Sequence, residues 1–218
     1  MQYQLGHHGL TWFDASFLLV GAVRTVEMAV AAAIVGTLLG VPLGWLRAMS
    51  TPARLLSAPF IDILRSVPMI IQLILVNSFL SSMEVPTSPF LFGALALSLW
   101  MAAVTAEVAR ASFLGVPQQF QKSGRSLGMS RFQELVHVSG PLAFRIGLPA
   151  WIGLVLSLTK DTALAGVIGY VEFLRSAQTL IVRTHETLFL LGIVGLFYFV
   201  ICYPISRYSR NLEKRVLS

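Results

Sequence analysis

Few residues in this 218-residue chain could do chemistry, and they are scattered. Lys160 and Asp161 are adjacent inside a long apolar stretch, Glu107 and Arg110 stand one helical turn apart, Arg24 and Glu27 do the same, and Gln72 and Asn77 are isolated among aliphatics. None of these patterns is a catalytic set. The chain has no Gly-x-Ser-x-Gly elbow and no His-Glu-x-x-His zinc motif. It also lacks a Gly-x-x-x-x-Gly-Lys-Ser/Thr run, so it cannot hydrolyse nucleotide with a phosphate loop of its own. Cys202 is the single cysteine and sits in an apolar run without a His or Asp neighbour, which excludes an intramolecular disulfide and a thiolate cluster and argues against a nucleophile. His7 and His8 read as a polar tail and His137 as a solvated loop histidine, so no metal site is expected. What remains is charge set among apolar residues. Such charge either braces a helix interface or lines a route for a polar solute.

The elements that position those charges are built for hydrocarbon. Hydrophobic residues make up 56% of the chain and Asp, Glu, Lys and Arg only 12%, about half the charged share of a soluble domain. The mean hydropathy is +0.75. A soluble enzyme, a disordered regulator and a disulfide scaffold are excluded. A span requires about 20 apolar residues, and five are predicted, at about 16–46, 58–80, 89–111, 145–170 and 187–206, within one transmembrane domain covering 1–218. The first is too long for a single perpendicular helix and carries Arg24 and Glu27 in its first third, so its upper part is expected outside lipid. Pro59 and Pro68 break the lead-in to the second, and Lys160-Asp161 interrupts the fourth. The fold class is therefore all-α, a polytopic membrane protein with about five transmembrane helices.

The net charge is +6 and the basic residues sit at the ends of apolar segments, the pattern of topology signals rather than of nucleic-acid binding. A cytoplasmic C-terminus gathers Arg47, Arg54, Arg65, Arg110, Lys122, Arg125, Arg131, Arg145, Arg207, Arg210, Lys214 and Arg215 on one side, twelve of the sixteen Lys and Arg. The other side keeps Arg24, Arg175 and Arg183. This asymmetry predicts the N-terminus outside and the C-terminus in the cytoplasm. The first fifteen residues hold no Lys or Arg, so the first span is expected to act as its own insertion signal.

The longest connection, about 112–144, then lies in the cytoplasm, and the outer loops at about 81–88 and 171–187 are shorter. Within it, Pro117 can open a helix, Gly128 with Met129 and Ser130 can stop it, and Ser130 can cap a second helix from near Arg131. A helix, a glycine turn and a second helix make a compact knob, with Phe120, Leu127, Phe132 and Leu135 as an intermittent apolar stripe.

These residues resemble the permease subunits of type I ABC importers, in particular the polar amino-acid branch that serves histidine, glutamine and arginine. That family's cytoplasmic signature is Glu-Ala-Ala, three residues, Gly, nine residues, Ile-x-Leu-Pro. Gly128 takes the glycine and Val138-Ser139-Gly140-Pro141 the closing element. Arg65-Ser66-Val67-Pro68 followed by Gln72 resembles the Arg-Gly-Thr-Pro…Gln stretch, and Glu107-Val108-Ala109-Arg110 the Glu-x-x-Arg that ends the third span. Ser157-Leu158-Thr159-Lys160-Asp161-Thr162-Ala163-Leu164-Ala165 matches the branch almost letter for letter, and Leu174-Arg175-Ser176-Ala177-Gln178 and the basic tail extend the likeness over about 16–215. Three departures stand out. Lys122-Ser123-Gly124 replaces Glu-Ala-Ala, Gly140 replaces Leu, and Trp100-Met101 stands where Asn-Ser is common.

The resemblance implies a multi-pass permease of a bacterial inner membrane that moves amino acids inward by alternating access. An extracytoplasmic binding protein would deliver the solute, and separate ATPase subunits would bind ATP and Mg, leaving this chain without a cofactor of its own. Tolerance of the departures favours a second, different permease chain over a homodimer. Lys122, Ser123, Gly124, Arg125, Leu127, Gly128, Met129 and Pro141 would couple to the ATPase as a small helix in a groove. Gln72, Trp100, Glu107, Lys160, Asp161 and Thr162 would line the translocation path or the permease interface. For Lys160-Asp161 a brace against Glu107, Arg110 or the partner permease stands beside contact with solute, and for Gln72 and Asn77 interhelical hydrogen bonds stand beside path lining. Arg24 and Glu27 either pair with each other or dock the binding protein. The competing functions are an intramembrane enzyme, for which the spans hold no nucleophile or metal constellation, and a passive channel or a structural membrane subunit, which give the knob no purpose. Within the importer reading, the solute could also be an opine or another small zwitterion.

Overall fold

The computed structural model describes residues 9–84 and 88–217, with side chains to Lys214, so His7, His8 and the side chain of Arg215 lie outside it. Among the described residues the regular structure is entirely helical. In chain order the helices are α1 (Trp12–Met49), α2 (Thr51–Ser66), α3 (Met69–Ser82), α4 (Pro89–Leu114), α5 (Gln118–Ser126), α6 (Arg131–Glu134), α7 (Gly140–Asp161), α8 (Phe173–Thr184) and α9 (Thr187–Leu217). A π-turn at Leu135–Ser139 joins α6 to α7, and a 3-10 stretch at Thr162–Ile168 continues α7. Among the described residues, four helical rods are long and apolar enough to cross a membrane: Trp12–Met49, Pro89–Leu114, Arg131–Ile168 and Thr187–Lys214.

The second predicted span takes a different form. It is two helices, α2 and α3, bent by 108°. At 1.5 Å per residue they run about 24 and 21 Å, each short of the ~30 Å hydrocarbon core. Pro68 makes the break, because it restricts Val67 to extended backbone and ends α2 there. Pro59 does not break anything and lies inside α2. Gln72 secures the bend, its Nε2 donating to the Leu64 and Val67 carbonyls at 2.7 and 2.8 Å. These are acceptors that the end of a helix leaves open.

α1 and α4 run side by side in the same direction and form the spine. Small residues on α1 let the backbones close: a Cβ on Gly40 would come within 2.7 Å of the Ala102 carbonyl and of Thr105, and Gly36 and Gly44 sit equally tightly on Met101 and Ala106. The main core joins Met28, Leu73, Leu97, Met101 and Leu158 from α1, α3, α4 and α7. Ile61 anchors α2 on Ala103 and Ala106.

The predicted outer loop at 171–187 is mostly helix. α8 lies antiparallel to the start of α1, with Asp14 paired to Arg183 at 2.6 Å, Phe173 N–H donating to Thr25 Oγ1 at 3.1 Å, and Gly21 pressed on Ser176. The first part of α1 is thus covered by protein on one face.

Candidate functional site

The connection between α4 and α7 folds into the predicted knob. α5 follows Pro117, which sits just before the helix as its N-cap rather than inside its first turn. It ends in a Schellman turn: Met129 N–H bonds the Gly124 carbonyl and Gly128 N–H the Arg125 carbonyl, at 3.2 and 3.0 Å. The turn demands φ +79° at Gly128, a left-handed conformation that favours glycine. Ser130 then caps α6, exchanging side-chain and backbone bonds with Gln133. α6 does not stop at the knob; it runs on through the π-turn into α7. Pro141 explains that turn, since it lacks an N–H and its ring collides with a carbonyl one turn back, so the helix widens upstream.

The knob shows a mixed surface. Leu127 and Phe132 are 79% and 71% exposed, and Phe120 and Val136 are exposed beside them. Lys122, Ser123, Arg125, Gly128 and Pro141 are exposed, Met129 is half-buried, and Gly124 is buried against Glu134, Met129 and Val138. Gly124 therefore holds the two helices together, while its neighbours face outward. Glu134 is itself buried and accepts a hydrogen bond from the Ser139 hydroxyl.

Glu107 accepts from two arginines. Arg47 of α1, almost fully buried, pairs with one carboxylate oxygen, and Arg110 donates to the other at 3.2–3.3 Å. This cluster lies toward the knob end of α4. Lys160 and Asp161 sit at the opposite end of the bundle, because Thr159 shares a cleft with Ala29, and the neighbouring Met28 packs at Gly93 near the start of α4. Fourteen residues of α4 separate Gly93 from Glu107, about 20 Å along the axis. A brace from Lys160 or Asp161 to Glu107 or Arg110 is thereby excluded within the chain. Nor do Arg24 and Glu27 form an ion pair among the described residues: Arg24 Nη1 donates to the Val171 carbonyl at 3.3 Å, and both side chains stay exposed.

Lys160 is exposed and Asp161 half-buried. On the same face of α7, Ala150, Gly153 and Ser157 are also exposed. Between Ala150 and Lys160 this face exposes no large aliphatic, Ile146 lying one turn before it, whereas the exposed faces of α1 and α9 are lined with Val, Leu, Ile and Phe. Thr162 is buried, its hydroxyl donating to the Thr159 carbonyl at 2.7 Å. Trp100 is half-buried against the main core, and Asn77 is half-buried on α3.

Three features escaped sequence reasoning. Arg47 as the partner of Glu107 depends on a pairing sixty residues apart, which no local pattern reveals. The Asp14–Arg183 tie was half legible, since Thr11-x-x-Asp14 is a capping pattern and Asp14 accepts the Thr11 N–H at 2.7 Å. Glu172 is the third. It is wholly buried and caps α8 with both carboxylate oxygens, accepting from Leu174 and Arg175 N–H at 2.7 and 2.6 Å. Burial pushes its carboxyl up to about 7, against the pull of those amides and of the Arg175 charge.

Residues 17–218 match the family described as the binding-protein-dependent transport system inner membrane component. The chain belongs to that family. This permease is 29% identical over 198 residues to the L-cystine transport system permease protein of Bacillus subtilis (strain 168), covering 90% of this chain and 85% of that one. It is 28% identical over 208 residues to the glutamine transport system permease protein of Escherichia coli (strain K12), covering 94% and 95%. The crystal structure of an amino acid ABC transporter with histidines superposes with a TM-score of 0.82 at 25% identity, over 95% of this chain and 99% of the other. An inward-facing methionine ABC transporter superposes at 0.80 with 18% identity over 95% and 99%, a likeness of fold. The permease is thus a multi-pass inner-membrane transport subunit with the type I ABC importer fold, and its family works with ATPase and binding-protein partners.

Proposed function

We propose that this permease carries an amino acid or a similarly small zwitterion inward by alternating access, with its N-terminus outside and its C-terminus in the cytoplasm. A separate ATPase binds ATP and Mg, and a second, different permease chain completes the enclosure. The observation that carries this reading is the knob: Leu127 and Phe132 are held out in water beside Lys122 and Arg125 on a turn that requires Gly128. An apolar and basic protrusion of that kind serves a helix-in-groove contact. If the groove grips it differently with and without ATP, its movement passes into α7 through the continuous helix.

Lys160 and Asp161 stand at the end of an exposed stretch of α7, from Ala150 on, that is small and polar. That face suits a watery path or a closely packed partner better than lipid. Arg24 and Glu27 remain candidates for contact with the binding protein, and Gln72 has its amide nitrogen committed to the α2–α3 bend.

The test is uptake of labelled L-glutamine, L-cystine, L-arginine and L-glutamate into proteoliposomes holding the permease, its co-purifying permease and ATPase chains, and the binding protein. The expected result is accumulation of at least one solute that needs ATP. Equilibration without ATP would mark a passive channel, and no movement of any of the four, nor of any member of a labelled mixture of the twenty amino acids, would refute the amino-acid assignment.

A further inference from the structure

We propose that the cleft between the knob and the ends of α1 and α4 binds an α-amino acid with an apolar side chain, its carboxylate at Arg125 and Arg131 and its ammonium at Glu134, and that occupancy slows transport. That the ligand arrives from the cytoplasm rests on the orientation proposed above.

The cleft encloses ≈ 420 Å³, within the roughly 300–1,000 Å³ of ligand sites. One wall belongs to the spine, with Trp45 at the end of α1 and Phe113 and Leu114 at the end of α4. The knob supplies the polar wall. Gln121 and Arg125 lie one turn apart on α5, and Arg131 and Glu134 one turn apart on α6, so each pair shares a helix face. Gly124 brings the two helices together, since an added Cβ there would sit 3.4 Å from Glu134 Cγ. Arg125 is the next residue.

The charges of the cleft are open. Among the described residues, Arg125, Arg131 and Glu134 form no ion pair. Both arginines are exposed, at the mouth, whereas Glu134 is only 7% exposed. One Glu134 oxygen accepts from the Ser139 hydroxyl, and the other takes no hydrogen bond among the described residues. A buried carboxylate is costly until a cation joins it. The lining thus offers two guanidiniums, one acid and an apolar wall, which matches a single ligand class. A carboxylate fits the arginines, an ammonium pairs with Glu134, and an apolar side chain lies against Trp45 and Phe113. A phosphate would face the Glu134 charge. A cationic side chain would lack a second acid, because the described lining holds no other Asp or Glu.

The position of the cleft gives the ligand a consequence. Arg125 is also proposed to meet the ATPase, and a bound carboxylate draws it inward. A ligand held by the knob on one side and by α1 and α4 on the other favours the knob position that binds it, and so opposes the movement that drives transport.

The experiment is equilibrium dialysis of the purified complex, without binding protein or ATP, against labelled L-leucine, isoamylamine and N-acetyl-L-leucine. L-Leucine is expected to bind at one per copy of this chain. Isoamylamine, which lacks the carboxylate, and N-acetyl-L-leucine, which lacks the ammonium, should each bind at least ten-fold more weakly. Arg131→Gln, at an exposed and unpaired position, and Glu134→Gln, which keeps the shape and the Ser139 bond, should each weaken L-leucine binding at least ten-fold. Proteoliposomes loaded with L-leucine on the cytoplasmic side should import solute at no more than half the rate of empty ones, and Arg131→Gln should remove that difference. No binding of L-leucine by the complex, as when an ATPase side chain fills the cleft, would overturn the proposal. So would equal binding of the three compounds, undiminished binding in both variants, or equal import by loaded and empty vesicles. Binding is read without transport, so its failure leaves the uptake result standing, and failed uptake leaves the binding result standing.

Discussion

Glu107 illustrates how a charge near a membrane is kept. Its carboxylate is shared between buried Arg47 and half-buried Arg110, so removing it leaves Arg47 without a counter-charge. Such a loss costs about 3–5 kcal/mol. Glu107→Ala should lower the melting temperature of the purified permease clearly, and Arg47→Leu combined with Glu107→Leu should recover most of it. Glu172 makes a pH prediction. Its folded carboxyl is raised from 4.5 to about 7, so the folded chain holds a proton that the unfolded chain releases in that range. Stability therefore falls as pH rises from about 4.5 to about 7 and levels off above it. Melting curves across that range should show the decline, and Glu172→Gln should flatten it. The sequence exposes Glu172 only as an acid beside an apolar helix start. Its burial depends on α8 folding back on α1, which no local pattern encodes.

Among the elements, the knob was the most legible, because each of its devices is local. Ser130 with Gln133 is a capping pair, Gly128 is a stop, and the structure uses both as the chain spells them. Gly128→Ala should strain the turn at φ +79° and cost about 1 kcal/mol or more, while Gly128→Asn, which tolerates the left-handed region better, should cost less. ATPase co-purification measured across the three chains should follow the order Gly, Asn, Ala, and equal retention would detach the turn from ATPase binding. The α2–α3 segment was legible only as a break at Pro68. A bend of 108° is a tertiary outcome, fixed by Gln72 reaching back to Leu64 and Val67 and by Ile61 on α4. α8 was missed although its pattern is helical: Phe173, Ala177, Leu180 and Thr184 recur on one face, and Glu172 caps its start.

For the whole molecule, the order of apolar rods follows from solvent physics. The fold found in the amino acid ABC transporter adds the packing that composition leaves open, notably the α1–α4 spine closed over Gly36, Gly40 and Gly44. In the proposed reading, the exposed Leu127 and Phe132 are the surface that meets the ATPase. The most direct measurement places a cysteine at Leu127 in a Cys202→Ser background, labels it with a maleimide that carries a benzophenone, and irradiates the complex in inside-out vesicles. The expected product is a crosslink to the ATPase subunit, with ATP-driven uptake lost on crosslinking. Labelling of that cysteine by an impermeant maleimide added outside intact cells, or uptake that persists after the crosslink forms, would contradict the knob as the point where ATP-driven movement enters the permease.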